Sequence, residues 1–229
     1  MSGDLMGFKN SDNLTKWVKY FLYIQIVIAT ISMLSGYMEY DLLSDYQNGV
    51  YTSQELAVAD GEASDIRQQI IGIIYLINFI ISGFLILKWI HRANFNSHQL
   101  GAENMEFTAG WSIGYFFIPI MTLFKPYQAM KEIWQTSHNP KEWNMIEVSK
   151  LLPVWWTVWL INNFLGQIIF RTASDAEGVE PLMRLNLITQ ASNLLDIILA
   201  ILTFLVIVKI HEQQKHAFEN TANKPIKQD

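Results

Sequence analysis

Residues 70–90 read IIGIIYLINFIISGFLILKWI, an apolar run that is long enough to cross a lipid bilayer as a single helix. The hydrocarbon core of a bilayer is about 30 Å thick, so a spanning helix needs roughly 20 mostly apolar residues. Three further runs meet this requirement: 17–37, 151–170 and 185–208. Because no soluble fold needs four such runs, the sequence predicts an all-α integral membrane protein with four transmembrane helices.

The composition also separates this chain from soluble proteins. It is 51% hydrophobic and 16% charged, whereas a soluble domain carries about a quarter charged residues. The charges cluster between the apolar runs, and the net charge of −5 argues against nucleic-acid binding. The chain has no cysteine, which excludes disulfides, thiolate metal sites and palmitoylation.

Lysine and arginine predict the orientation of the helices, because cytoplasmic loops of membrane proteins are enriched in these residues. With four crossings and a cytoplasmic N-terminus, the outer segments contain only Arg67, Arg171 and Arg184 of the 16 basic residues. The outer loops are acidic instead. We therefore expect a multi-pass protein of the cell membrane with both its N- and C-termini in the cytoplasm.

A fifth uncharged run, residues 107–124, raises the main question about topology. If it crossed the membrane, the basic residues that follow it would face outward, against the charge rule. The run is short, and Gly110, Gly114 and Pro119 interrupt it. We expect residues 107–135 to form a re-entrant or interfacial segment packed against protein, with a fifth crossing as the alternative.

An amphipathic stretch follows this run. In YQAMKEIW, residues 127–134, apolar residues recur at helical spacing and polar residues lie opposite them. This pattern is typical of a helix that lies in the headgroup plane of a membrane. We predict an interfacial cytoplasmic helix whose contacts with lipid or a partner come from Tyr127, Met130, Lys131 and Trp134.

The remaining segments complete the predicted domain organisation. Residues 1–16 form a cytoplasmic N-terminus, residues 17–218 a single membrane domain and residues 219–229 a disordered cytoplasmic tail with few apolar residues. The first apolar run is too long for the core of a signal peptide, and no A-x-A-like site directly follows it. We therefore expect this run to be retained.

Three stretches of the sequence resemble a known family. They are GWSIGYFFIP at 110–119, FKPYQAMKEIW at 124–134 and LLPVWWTVW at 151–159. The pattern Gly-Trp, Pro, Lys-Pro-Tyr, Ile-Trp and Leu-Pro-x-Trp-Trp resembles the bacterial membrane family called domain of unknown function 4328. The resemblance implies a bacterial multi-pass membrane protein, and it supplies no catalytic residue, substrate or cofactor.

Polar residues near the middle of three predicted helices form the candidate site. Asp196 lies about halfway along the last run, where an ionisable side chain costs about 2.5–3.5 kcal/mol and is expected to face the protein interior. The other members are amides at a similar depth: Gln190, Asn193, Asn162, Asn163 and Asn78. A functional cluster would bind a proton or cation at Asp196, whereas a structural one would only join helices by hydrogen bonds.

The sequence contains no metalloprotease or P-loop motif. H-E-x-x-H and P-loop patterns are absent, and the five histidines lie at or beyond the edges of the apolar runs, where a haem between helices is not expected. We therefore predict a non-enzymatic protein without metal or cofactor.

Two functional hypotheses follow. The first is a structural or regulatory membrane subunit that recruits lipid or a partner protein at its cytoplasmic face. The alternative is an oligomeric channel or transporter for ions or small ligands, with a mid-membrane polar site around Asp196. The expected partners are the lipid bilayer and either a second copy of the chain or another membrane protein.

Overall fold

The structure, a computed structural model, describes residues 7–222, which form helices and short 3-10 turns and contain no strand. The helices are α1 (Asp12–Gln47), α2 (Gln54–Gln99), α3 (Trp111–Gly114), α4 (Lys125–His138), α5 (Leu151–Ala173) and α6 (Val179–Ala222). The predicted all-α class is therefore confirmed. α1, α2 and α6 are long and apolar enough to cross a membrane.

The fourth predicted span, residues 151–170, lies in α5. This helix has 23 residues and is about 35 Å long at 1.5 Å per residue, compared with about 30 Å for the hydrocarbon core. α5 is long enough to cross a membrane, but it is not among the helices that are also apolar enough to do so. Its tryptophans, together with Asn162 and Asn163, lower its mean hydropathy.

α1, α2 and α6 extend beyond the predicted apolar runs, and α1 and α2 are each followed by a glycine. Gly49 follows α1 with φ of 66°, and Gly101 follows α2 with φ of 90°. Glycine adopts positive φ without a steric penalty, so it commonly ends a helix. The backbone amide of Gly49 donates to the Tyr46 carbonyl at 3.3 Å, and that of Gly101 donates to the His98 carbonyl at 3.1 Å.

The described residues group into two compact units. Residues 7–20, 82–156 and 202–222 form one, which we call the α4 unit. Residues 21–81 and 157–201 form the other, which we call the cleft unit. The single membrane domain over residues 17–218 stays a prediction.

Within the α4 unit, the position of α4 corrects the interpretation of its amphipathic pattern. Met130 and Trp134 are 2% and 1% exposed, and the Lys209 ammonium lies 5.5 Å from the centroid of the Trp134 ring. Lys131 is exposed and Tyr127 is half-buried. The prediction that Met130 and Trp134 contact lipid is therefore wrong. An apolar helix face has the same sequence pattern whether protein or lipid covers it.

Two polar side chains of α4, Glu132 and Gln135, are buried as well. Glu132 accepts hydrogen bonds from the backbone amides of Glu106 and Phe107. Burial raises the pKa of the Glu132 carboxyl, and the two backbone donors offset part of this effect. Gln135 Nε2 donates to the Ile146 carbonyl at 2.6 Å. α4 thus holds the loops before and after it through its own polar side chains.

Residues 107–124 have an interrupted backbone, as Gly110, Gly114 and Pro119 predict. They contain two 3-10 turns, Tyr115–Phe117 and Met121–Leu123. Ile120 has φ of 68°, a conformation that β-branched residues rarely adopt. Phe117 and Ile120 are more than 70% exposed. The placement of this segment relative to a membrane stays a prediction.

The C-terminal end of α6 differs from the expected tail. The helix continues to Ala222, so residues 219–222 are helical, because no proline or glycine interrupts the chain before Pro225. The rest of the predicted disordered tail, residues 223–229, lies outside the described residues.

Candidate functional site: an acidic cleft

A cleft of about 420 Å³ lies within the cleft unit and is lined by residues of α1, α2, α5 and α6. Apolar side chains form much of its wall, among them Ile71, Ile169, Leu182 and Leu185. A concave site of about 300–1,000 Å³ with an apolar wall and a few polar groups is typical of small-molecule binding. We call it the acidic cleft, because the carboxylates of Glu39 and Asp196 both line it.

Asp196 is held at the cleft by two helices besides its own. Asp196 is buried, with an exposed fraction of 3%. Tyr75 Oη of α2 donates to Oδ2 at 2.8 Å, and Asn162 Nδ2 of α5 donates to Oδ1 at 2.6 Å. Ser192 Oγ donates to Asn162 Oδ1 at 3.3 Å, which orients that amide. An ionised carboxylate has about four acceptor positions, so each oxygen retains capacity for a ligand.

A row of polar side chains follows α6 from Asp196 toward its N-terminus. Asn193, Gln190 and Asn186 precede Asp196 at helical steps of three or four, so they share one helix face. Gln190 Nε2 donates to Asn186 Oδ1 at 2.6 Å. Asn186 Nδ2 in turn donates to Glu39 Oε2 at 2.7 Å. The row therefore extends along α6 from Asp196 to the level of Glu39.

Glu39 is also held by neutral donors. Besides Asn186, Gln68 Nε2 donates to Oε2 at 3.0 Å, and Oε1 receives no hydrogen bond from residues 7–222. The cleft lining contains no Lys, Arg or His among the described residues. Arg67, next to Gln68, donates instead to the hydroxyls of Ser35 and Ser64. Neither carboxylate has an ion-pair partner in the described part of the chain.

Asn193 provides an unpaired polar group at the cleft. It is 7% exposed and lines the cavity, yet its side-chain amide makes no hydrogen bond within the described residues. Buried polar side chains nearly always have a partner. The Asn193 amide is thus available to a molecule that occupies the cleft.

Most of the predicted polar cluster meets at this site. The residues that line the cleft or bond directly to Asp196 are Asp196, Asn193, Gln190 and Asn162. Asn163 is exposed and donates to the Trp159 carbonyl of its own helix at 2.8 Å. Asn78 is buried outside the cleft lining, and its Oδ1 has no partner within residues 7–222. The predicted interfacial residues of α4 belong to the other unit.

Sequence reasoning misses three residues of the cleft. Tyr75 reads as part of an apolar run, although it lies three residues before Asn78. Glu39 follows the first predicted span and resembles an ordinary loop charge. Asn186 carries the clearest missed signal, since it continues the helical spacing of Gln190 and Asn193 by one more turn.

A smaller cleft of about 260 Å³ lies within the α4 unit. Its lining carries charges of both signs, on Asp12, Lys215 and Glu219, and also includes His211. His211 Nε2 lies 2.9 Å from Asp12 Oδ1, and the Phe8 ring stacks on Phe218 with centroids 4.4 Å apart. Because its charges are mixed, this cleft favours neither anions nor cations. Within residues 7–222, no group of three or more His, Asp or Glu side chains is placed to hold a metal ion.

The sequence profile of the family described as Domain of unknown function (DUF4328) matches residues 53–212. This match covers more than half of the chain and confirms the resemblance carried by the three motif stretches. The chain belongs to the DUF4328 family. The matched part of this DUF4328 protein includes Tyr75, Asn162 and Asp196, whereas Glu39 precedes it. Neither a curated protein nor a solved structure matches the chain.

The family description of DUF4328 names no activity. The chemistry of the acidic cleft is therefore the basis for assigning a function to this DUF4328 protein. That chemistry consists of two carboxylates, a row of amides between them and an apolar wall.

Proposed function

We propose that this DUF4328 protein is a membrane protein that binds a small organic cation in the acidic cleft. The observation that carries the proposal is the presence of Asp196 and Glu39 in a cleft whose lining, within residues 7–222, has no basic residue. A carboxylate withdrawn from water is costly unless a positive charge or several donors compensate it. An ammonium group supplies both the charge and three donors.

The size and lining of the cleft favour an organic cation over a bare ion. A metal ion occupies only a small part of about 420 Å³. The side chains of Ile71, Leu182 and Leu185 offer apolar contact to the hydrocarbon part of an amine. The free amide of Asn193, one helical step from Asp196, can accept a hydrogen bond from the same ammonium group.

The hypothesis of a regulatory subunit that recruits lipid through α4 has less support. Met130 and Trp134, which would make the apolar contacts, are buried in the α4 unit. Lys131 is exposed, but a single exposed lysine does not define a docking surface. The alternative hypothesis, a site for small ligands around Asp196, therefore becomes the preferred one.

We extend the proposal to the topology. α5 is long enough to form a fourth crossing beside α1, α2 and α6. Residues 107–124 would turn back without crossing, with Phe117 and Ile120 directed to lipid, and both termini would be cytoplasmic. The support is the asymmetry of the basic residues, of which only three of 16 lie in the outer segments under this arrangement.

Single cysteines test this topology, because the chain has none of its own. Glu62→Cys, Lys141→Cys and Glu177→Cys replace exposed residues and are treated with a membrane-impermeant maleimide in intact cells. We expect labelling at residues 62 and 177 and none at residue 141. Labelling at residues 62 and 141 without labelling at residue 177 would show that residues 107–124 cross the membrane.

Movement of a ligand across the membrane would require more than one copy of the chain. Four helices enclose little space for a pathway, so we propose a homo-oligomer for any transport function. Chemical crosslinking in native membranes, followed by mass determination, tests this. Only monomers at every crosslinker concentration would limit the protein to binding.

The binding proposal is tested with hexylamine and full-length protein purified in an uncharged detergent. Isothermal titration calorimetry should detect binding to the wild type. Asp196→Asn should weaken it at least about tenfold, equivalent to about 1.4 kcal/mol. Asp175→Asn, in the exposed turn before α6, is the matched control and should bind normally. Failure of the wild type to bind hexylamine would contradict the proposal.

A further inference from the structure

We infer that the ligand of the acidic cleft is a linear cation with an amine at each end, a diamine or polyamine, with one end at Asp196 and the other at Glu39. This inference rests on the proposed function and specifies which organic cations the cleft prefers. Its basis is the separation of the two carboxylates and the character of the side chains between them.

The two carboxylates lie too far apart to share one ammonium group. Glu39 Oε2 is 2.7 Å from Asn186 Nδ2, and Asn186 lies ten residues before Asp196 in α6. At 1.5 Å per residue this corresponds to about 15 Å along the helix. A monoamine can reach only one of these charges, whereas an extended polyamine can reach both.

Both carboxylates have free acceptor positions. The hydrogen bond from Tyr75 occupies one position on Asp196 Oδ2, and that from Asn162 occupies one on Oδ1. Glu39 receives both of its hydrogen bonds on Oε2, which leaves Oε1 open. A terminal ammonium group has three donors and can bind at either end without displacing a protein contact.

The path between the two ends alternates acceptors with apolar surface. Gln190 donates through Nε2, so its Oε1 is available as an acceptor, and the Asn193 amide is unpaired. Between Gln68 and Tyr75, which donate to Glu39 and Asp196, the apolar side chain of Ile71 lines the same cleft. This pattern suits a chain of methylene groups interrupted by nitrogen, because methylenes contact the apolar wall and each N–H meets an oxygen.

The test compares hexylamine, putrescine and spermine by isothermal titration calorimetry with full-length protein in an uncharged detergent. Spermine should bind the wild type at least about tenfold more tightly than hexylamine, and putrescine, which is too short to span the cleft, should resemble hexylamine. Glu39→Gln should lower the affinity for spermine to about that for hexylamine. Glu177→Gln, in an exposed turn, should preserve the advantage and serves as the control.

The outcomes separate the two proposals. Equal affinities of hexylamine and spermine for the wild type would overturn the linear polycation and leave the organic-cation site standing. A spermine advantage that survives Glu39→Gln would overturn it too, because the attraction would then come from the general negative charge of the protein. Absence of binding by all three amines would overturn both. The first comparison uses only the wild type and does not depend on the folding of a variant.

Discussion

Tyr75 and Asp196 are joined by a hydrogen bond of 2.8 Å between residues 121 positions apart in the sequence. The phenol hydroxyl of α2 donates to one carboxylate oxygen in α6, while Asn162 of α5 donates to the other. Three helices therefore orient the same buried carboxylate. Such preorganisation reduces the cost of binding, since the acceptor does not have to be ordered by the ligand.

Removal of the Tyr75 hydroxyl should destabilise the cleft unit slightly. Tyr75→Phe keeps the ring and deletes the donor, so we expect the free energy of unfolding in detergent to fall by about 0.6 kcal/mol, the mean for such bonds in membrane proteins, and by about 1.7 kcal/mol at most. Tyr37→Phe is the control, because Tyr37 is 67% exposed. An equal effect of both substitutions would argue against the importance of the Tyr75–Asp196 bond.

Two adjacent asparagines should differ in their effect on amine binding. Asn162→Ala removes a donor to Asp196, so we expect hexylamine affinity to fall about threefold or more. Asn163→Ala should have little effect, because the Asn163 amide bonds to its own helix. Titration calorimetry on both variants provides the comparison. If the two variants bind hexylamine equally, Asn162 does not position the carboxylate.

Two glycines of the cleft should differ in their response to alanine. A Cβ at Gly166 meets nothing within 4 Å, so Gly166→Ala should raise the free energy of unfolding by about 0.5–1 kcal/mol through helix propensity. A Cβ at Gly36 would lie 3.3 Å from Gln190 Cγ, and this crowding should cancel the gain. Unfolding curves in detergent measure both. A larger gain from Gly36→Ala would contradict the close packing of α1 against α6.

Glu132 in the α4 unit should make stability depend on pH. Its pKa is raised in the folded state by burial, so the folded protein binds a proton more tightly than the unfolded chain. Between the ordinary glutamate pKa and the raised value, its contribution to the free energy of unfolding grows as pH falls and is lost as pH rises.

The measurement for Glu132 is the difference in unfolding free energy between the wild type and Glu132→Gln across this pH range. We expect the difference to shift in favour of the wild type as pH is lowered from neutral. Glu142→Gln, which replaces an exposed glutamate, is the matched control. A constant difference for Glu132→Gln would be inconsistent with its burial.

The helices and part of the cleft could be predicted from sequence. Both follow from the free-energy cost of leaving polar groups without partners in an apolar medium. The run at 70–90 has to be helical in a membrane, since its backbone groups would otherwise be unsatisfied. Asp196 has to face protein for the same reason, and the structure does bury it. The position of polar residues near the middle of an apolar run is therefore enough to identify Asp196 and its nearest amides.

The rest depends on which surfaces meet, and sequence pattern does not encode this. The apolar face of α4 predicts burial of Met130 and Trp134 but does not distinguish protein from lipid. Glu39 becomes a site residue only because Asn186, 147 positions away, bonds to it. Asn163 has the same residue type as Asn162 and lies at the same depth, but it is exposed. Adjacent residues of a helix point in different directions, so Asn163 points away from the cleft.

The most direct test of the cation site is the chemical reactivity of one introduced cysteine. Thr189 lines the acidic cleft, and Thr189→Cys would be the sole cysteine of the chain. We predict that a cationic methanethiosulfonate modifies it faster than an anionic one, that hexylamine slows the reaction, and that Asp196→Asn abolishes the preference. Equal rates with both reagents and no protection by hexylamine would contradict the assignment of the cleft as a cation site.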